Sequence, residues 1–263
     1  MTTILQIVRY ELRNVVRNRW VIAYAFFFLV VTELLLRLGG SSPHALLSLM
    51  NVVLLLIPLV TIVFGTIYWH GSREFTELLL AQPVPRAALF HGLFAGLVLP
   101  LSAAFVAGVS VPLVLHRGLT AATTPLLALL LVAGVALTAV FGALAVLIGG
   151  LVDDRLKGLG MALGVWVLVT LAYDGLVLWV TVAFARYPLE APLLALTFAN
   201  PVDLARVLLV LRFDVAALMG YTGAVFDRLL GSVTGTLTAL TGLALWTLVP
   251  GLLALRAFRR KDF

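Results

Sequence analysis

Two carboxylates stand inside long apolar runs of this chain: Glu33 in VIAYAFFFLVVTELLLRL and Asp174 in LGVWVLVTLAYDGLVLW. An ionised side chain surrounded by hydrocarbon is costly, so an intramembrane acid is read first as a proton or ion site. Glu33 has Arg37 four residues on, the helical spacing of an ion pair, here near a membrane boundary. Asp174 lies deeper, and three uses stay open for it: a dimer interface, a substrate path, or a hydrogen bond to a polar partner helix. The four histidines, His44, His70, His91 and His116, fall near the ends of apolar runs, and no two share the spacing of metal ligands on one helix. Interfacial packing is their expected role. Asp153 and Asp154, beside Arg155 and Lys157, make a solvated turn with too few oxygen ligands for a metal. The chain has no cysteine, which excludes disulfides, thiolate metal sites and thiol catalysis. The phosphate loop G-x-x-x-x-G-K-[ST], the zinc motif H-E-x-x-H and the nucleophile elbow G-x-S-x-G are all missing. The chain is therefore expected to hydrolyse nothing itself and to carry no cofactor or metal.

The elements that must position these residues follow from hydropathy. Of the 263 residues 62% are hydrophobic and 11% charged, and the mean hydropathy is +1.13. A soluble domain needs more charge to cover its surface. In lipid every backbone N–H and C=O is paired internally, so each run of roughly twenty apolar residues predicts a spanning helix. Six are predicted, at roughly 20–38, 46–68, 88–115, 126–151, 159–185 and 233–256. The third contains Pro100 and Pro112 and is expected to kink or to end early. The fold class is all-α, a polytopic membrane protein with one membrane domain over 1–263. Lys and Arg divide about twelve to six between the two sides, which places both termini in the cytoplasm. The net charge of +6 is thus read as facing the lipid surface and not nucleic acid. Gly92 and Gly96, and Gly160 and Gly164, form small-x-x-x-small pairs that let helices approach closely.

Three segments lie outside the spans. Residues 1–19 are amphipathic, with Arg9, Arg13 and Arg17 recurring every four residues, and predict an interfacial helix. Residues 69–86, WHGSREFTELLLAQPVPR, predict a short cytoplasmic helix, capped by Ser72 with Glu74 in its first turn and stopped at Pro83 and Pro85. Its leucines, Leu78, Leu79 and Leu80, are expected to be exposed, as a protein-docking surface or a lipid-facing one. Residues 186–232 exceed a simple connector. Here Asn200-Pro201 predicts a turn, with Asn200 capping a helix from Asp203 to Leu211. Met219, Tyr221 and Phe226 add an apolar, aromatic surface. Short helices on the outer leaflet, facing lipid or an extracytoplasmic partner, are expected here.

The order of these pieces resembles the permease subunit of type-2 ABC exporters. The resemblance implies that Ser72 to Gln82, followed by Pro83 and Arg86, is the coupling helix that docks on a separate ATPase. The docking residues would be Ser72, Arg73, Glu74, Glu77, Leu78, Leu79, Pro83 and Arg86. The family's glycine after the acid is missing in Arg73-Glu74-Phe75-Thr76-Glu77. Two segments, GMALGVWVLVTLAYDGLVL and NPVDLARVLLVL, resemble the membrane subunit of nitrous-oxide reductase maturation transporters. That likeness implies a homodimer with two copies of a cytoplasmic ATPase in a bacterial or archaeal inner membrane. It also implies a periplasmic β-helical partner on the outer segment, contacted by Asn200, Asp203, Arg206, Met219, Tyr221 and Phe226. The work would be energy coupling, or passage of a sulfur species, for a copper–sulfur centre. Two other readings stay open: a general exporter of lipid, drug or polysaccharide, and a proton-coupled carrier using Glu33 or Asp174.

Overall fold

A computed structural model describes residues 19–38, 42–81, 84–116, 118–121, 123–187, 189–212 and 233–260. The elements in chain order are α1 (Arg19–Leu38), α2 (Ser42–Gly71), α3 (Arg73–Leu80), α4 (Arg86–Leu115) and α5 (Thr123–Leu151). Then follow α6 (Arg155–Val167), a π-helical turn (Leu168–Ala172), α7 (Tyr173–Ala183), α8 (Glu190–Ala199), α9 (Pro201–Arg212) and α10 (Val233–Arg260). Among the described residues six helices are long and apolar enough to cross a membrane, the fifth being α6, the π-turn and α7 together. They match the six predicted spans. The interfacial helix predicted over 1–19 lies outside the described residues except for Arg19.

Helices α2, α4 and α5 carry the core. Val53, Ile57 and Ile62 of α2, Leu97 and Phe105 of α4, and Leu137 and Phe141 of α5 are fully enclosed. The first span buries one stripe, Val21, Tyr24, Phe28 and Thr32, at helical spacing. That stripe lies on α4, where Phe28 meets Phe105 edge to face with centroids 5.1 Å apart. Gly108 makes the approach possible: a Cβ there would stand 2.7 Å from the Ala25 carbonyl oxygen. Helix α4 does not end early: it continues through Pro100 and Pro112, both buried, to Leu115. A proline is tolerated within a span when neighbouring helices surround it.

The small-residue pairs divide. Gly92 and Gly96 are buried within the bundle. Gly160 and Gly164 face open space. Their span is the least enclosed of the six, with Leu168, Leu178, Trp179 and Val182 each at least 60% exposed.

Helices α8 and α9 are the short helices expected between the last two spans. They form a bent pair, with 115° between their axes, folded in against the spans. The sharp bend has a local cause. Pro201 cannot continue a helix, and it drives Asn200 into extended backbone at φ −128, ψ 118. Beyond it, α9 is sealed by Val202, Leu204, Ala205, Leu208 and Leu209, each at most 3% exposed. Leu204 sits over Gly242 of α10, and Trp246 of α10 donates its indole N–H to the Phe198 carbonyl at 3.0 Å.

Candidate functional site

At the basic end of the bundle, α3 stands on a rigid plate. Trp69 meets Phe258 and Phe90 edge to face, with centroids 5.6 and 6.1 Å apart. The Arg86 guanidinium donates to the Arg259 carbonyl at 2.9 Å, so the start of α4 caps the end of α10. His70 sits between two carbonyl oxygens, Thr66 at 2.8 Å and Val152 at 2.9 Å, and joins α2 to the turn before α6. Gly158 leaves room for its ring, since a Cβ there would meet Cε1 at 2.8 Å. In that turn Asp154 accepts the Lys157 N–H at 2.8 Å and caps α6. The same backbone N–H holds its carboxyl below the ordinary aspartate range. Asp153 stays 70% exposed and reaches Arg73 at 3.7 Å.

Helix α3 has two faces. Ser72 takes the capping position, but its backbone is not extended and its hydroxyl donates back to Tyr68 at 2.8 Å. The predicted side-chain cap is therefore not made. Thr76, which the sequence reading passed over, is 3% exposed and donates to the Ser72 carbonyl at 2.8 Å. Leu79 and Leu80 are half-buried and pack on the core, so only Leu78 of the three leucines stands out, at 69% exposed. The outward face is Glu74, Glu77, Leu78 and Ala81, with Arg73 paired to Glu77 at 3.0 Å. One apolar residue among two acids can dock but has no partner for acid–base chemistry.

At the far end, the bent pair and the fifth span are tied by polar bonds. Asn200 accepts the Val202 N–H at 2.8 Å, as predicted for a cap, and also donates to the Val169 carbonyl in the π-turn at 2.7 Å. Tyr173 donates to the Leu196 carbonyl at 2.7 Å. The Arg206 guanidinium lies between two carboxylates, Asp174 at 2.7 Å and Asp203 at 2.9 Å. Glu33 pairs with Arg37 at 2.7 Å, as its spacing predicts, and also with His116, the residue that follows α4, at 2.9 Å.

A sequence profile described as "ABC-2 family transporter protein" matches residues 5–263. The chain belongs to the ABC-2 transporter family. It is 27% identical to the "Probable ABC transporter permease protein NosY" of Stutzerimonas stutzeri, with 99% of each chain covered. It is 29% identical to the protein of the same description from Pseudomonas aeruginosa, again with 99% of each covered. As an ABC-2 permease it is a multi-pass membrane protein, and its family implies an ATPase partner.

Placed on this permease, the predicted residues fall into three groups. Arg73, Glu74, Glu77 and Leu78 share the outward side of α3, whereas Leu79 turns inward and Arg86 is committed to Arg259. Asn200 and Asp203, predicted to contact an outer partner, are 1% and 9% exposed, and their polar atoms are used inside the chain. Arg206 is likewise turned to Asp174 and Asp203. Pro83, Met219, Tyr221 and Phe226 lie outside the described residues. Asp174 finds a polar partner helix, one of its three open uses. The Asp174–Arg206 pair was not foreseen; the only signal for it was a basic residue, Arg206, set within the apolar run of the outer helix.

Proposed function

We propose that the permease carries ATP-driven movement across the inner membrane to an outer partner, in the maturation of a copper–sulfur centre of the nitrous-oxide reductase type. Two copies of the chain would work with two copies of a separate cytoplasmic ATPase. The observation that carries this is the two-faced α3. Its inner face packs on the bundle through Leu79 and Leu80, with Thr76 buried beside them, while Leu78 is left out beside Glu74 and Glu77. A push on such a helix reaches Trp69 and His70, and through them α5 and α6. The NosY description of the two relatives, and the GMALGVWVLVTLAYDGLVL and NPVDLARVLLVL segments, support the maturation role. A second copy is supported by the apolar face of the fifth span, where Gly160 and Gly164 leave open space. A periplasmic β-helical protein is proposed to sit on the outer segment, with both termini of the permease in the cytoplasm.

Affinity purification of the tagged permease in mild detergent tests this. An ABC ATPase and a periplasmic β-helical protein are expected to co-purify. An ATPase alone would leave a general exporter of lipid, drug or polysaccharide. Neither, under conditions that preserve such complexes, would overturn the assignment of α3.

A further inference from the structure

The two halves of the fifth span are held in different ways. The inner half, α6, is seated on α2: Gly158 admits the His70 ring, Ala162 is fully buried, and Trp166 donates to the Leu55 carbonyl at 3.2 Å. The outer half, α7, buries no side chain. Its described ties run to the bent pair: Tyr173 to Leu196, Asp174 to Arg206, and Val177 on a small apolar cluster of Leu189, Leu193 and Val207. That cluster meets the main core only through the half-buried Phe198 among the described residues. Between the halves lies the π-turn, a wound-in extra residue of the kind that accompanies functional sites in helices.

The charges at this junction are unequal. The Asp203 side chain is 13% exposed and that of Asp174 46%, and Arg206 bonds to both. If α7 moves away, Arg206 keeps Asp203, so no buried charge is stranded. Asp174 is already half in solvent and can be hydrated. Release breaks this part-exposed ion pair and the Tyr173–Leu196 hydrogen bond, and leaves the more buried Asp203–Arg206 pair whole.

We infer that Asp174 and Arg206 form a releasable latch that holds the outer half of the fifth span on the bent pair, with the π-turn Leu168–Ala172 as its hinge. Release uncovers the Leu189–Leu193–Val207 cluster and opens a path at the outer side of the permease. The use of this movement in a transport cycle rests on the energy-coupled role proposed above; the latch itself does not.

The test uses the absence of cysteine from the chain. Leu193→Cys, at a position 2% exposed beneath Val177, reports opening through its reaction with a water-soluble maleimide, measured on the full chain in lipid nanodiscs. Leu119→Cys, at a position 43% exposed between α4 and α5 and outside the spans, is the reference. Asp174→Asn is expected to speed labelling at Leu193→Cys about fivefold, the range for losing a part-exposed ion pair, and to leave the reference unchanged. Asp174→Glu stays close to the parent. Salt at about 1 M screens the pair and speeds labelling of the parent but not of Asp174→Asn. Asp203→Asn leaves the latch bond in place and keeps the parental rate. Equal rates in the parent and Asp174→Asn, with no effect of salt on the parent, overturn the latch. So does opening by Asp203→Asn as large as by Asp174→Asn. Co-purification of the ATPase is unaffected by Asp174→Asn, so failure of the latch and failure of the functional proposal are read separately.

Discussion

Asn200→Ala is expected to loosen the far end of the permease by a definite amount. The Asn200 side chain is 1% exposed and serves two backbone groups, the Val202 N–H and the Val169 carbonyl. Losing the cap costs about 1 kcal/mol. Leaving a buried carbonyl without its donor adds about 1–2 kcal/mol. The sum, about 2–3 kcal/mol, is about 30- to 150-fold in a local opening equilibrium. Amide hydrogen exchange over Val202–Leu204, in nanodiscs, reads that opening directly. Asn200→Ser separates the two bonds. A serine hydroxyl still accepts from the second residue of α9 but is too short to reach Val169. It should recover about 1 kcal/mol of the loss and no more. Protection in Asn200→Ala within about twofold of the parent would show that neither bond holds the bend, and the reasoning would fail. Equal loss in Asn200→Ser and Asn200→Ala would remove the cap from the account.

On α3, Leu78→Asp should keep the melting temperature of the permease while weakening association with its ATPase at least about tenfold, since the site is an exposed contact and a charge there must be desolvated on docking. Leu79→Asp should lower the melting temperature as well, because Leu79 packs on the core. Gly158→Val should cost about 1–3 kcal/mol, read by thermal unfolding, because its Cβ displaces the His70 ring from Val152. Glu33→Gln should leave ATP-driven function in place, since Glu33 serves Arg37 and His116 at the rim of the bundle; abolition of transport by this change would restore Glu33 as a proton site.

How much was legible can be judged residue by residue. The six spans were, because hydropathy over twenty residues is a local property that lipid enforces. The bend at Asn200-Pro201 was too, because both its causes, the missing N–H of proline and the capping amide, lie within three residues. The continuation of α4 to Leu115 was not: whether a proline ends a span depends on what surrounds it, and Pro100 and Pro112 are buried among neighbours. The three leucines of α3 read as one exposed run because composition does not say which way a helix is turned. Thr76 went unnoticed because a threonine on a short helix carries no signal of burial.

The sequence by itself determined that this chain is helical, carries six runs long and apolar enough to span a membrane, has no cysteine and no phosphate-loop motif, and sets Glu33 four residues before its partner Arg37. Those are matters of composition and of local spacing along the chain. Only the tertiary structure decided that Glu33 also meets His116, 83 residues away, that His70 meets Val152, 82 away, and that Arg86 meets Arg259, 173 away. It also turned Asn200 and Asp203 from a predicted outer surface into internal ties, with Arg206 held by Asp174, 32 residues earlier. The reason is the same in each case. A polar or charged side chain within a span or at a helix end takes a partner, but which partner depends on which helices the bundle brings side by side, and hydropathy does not encode that.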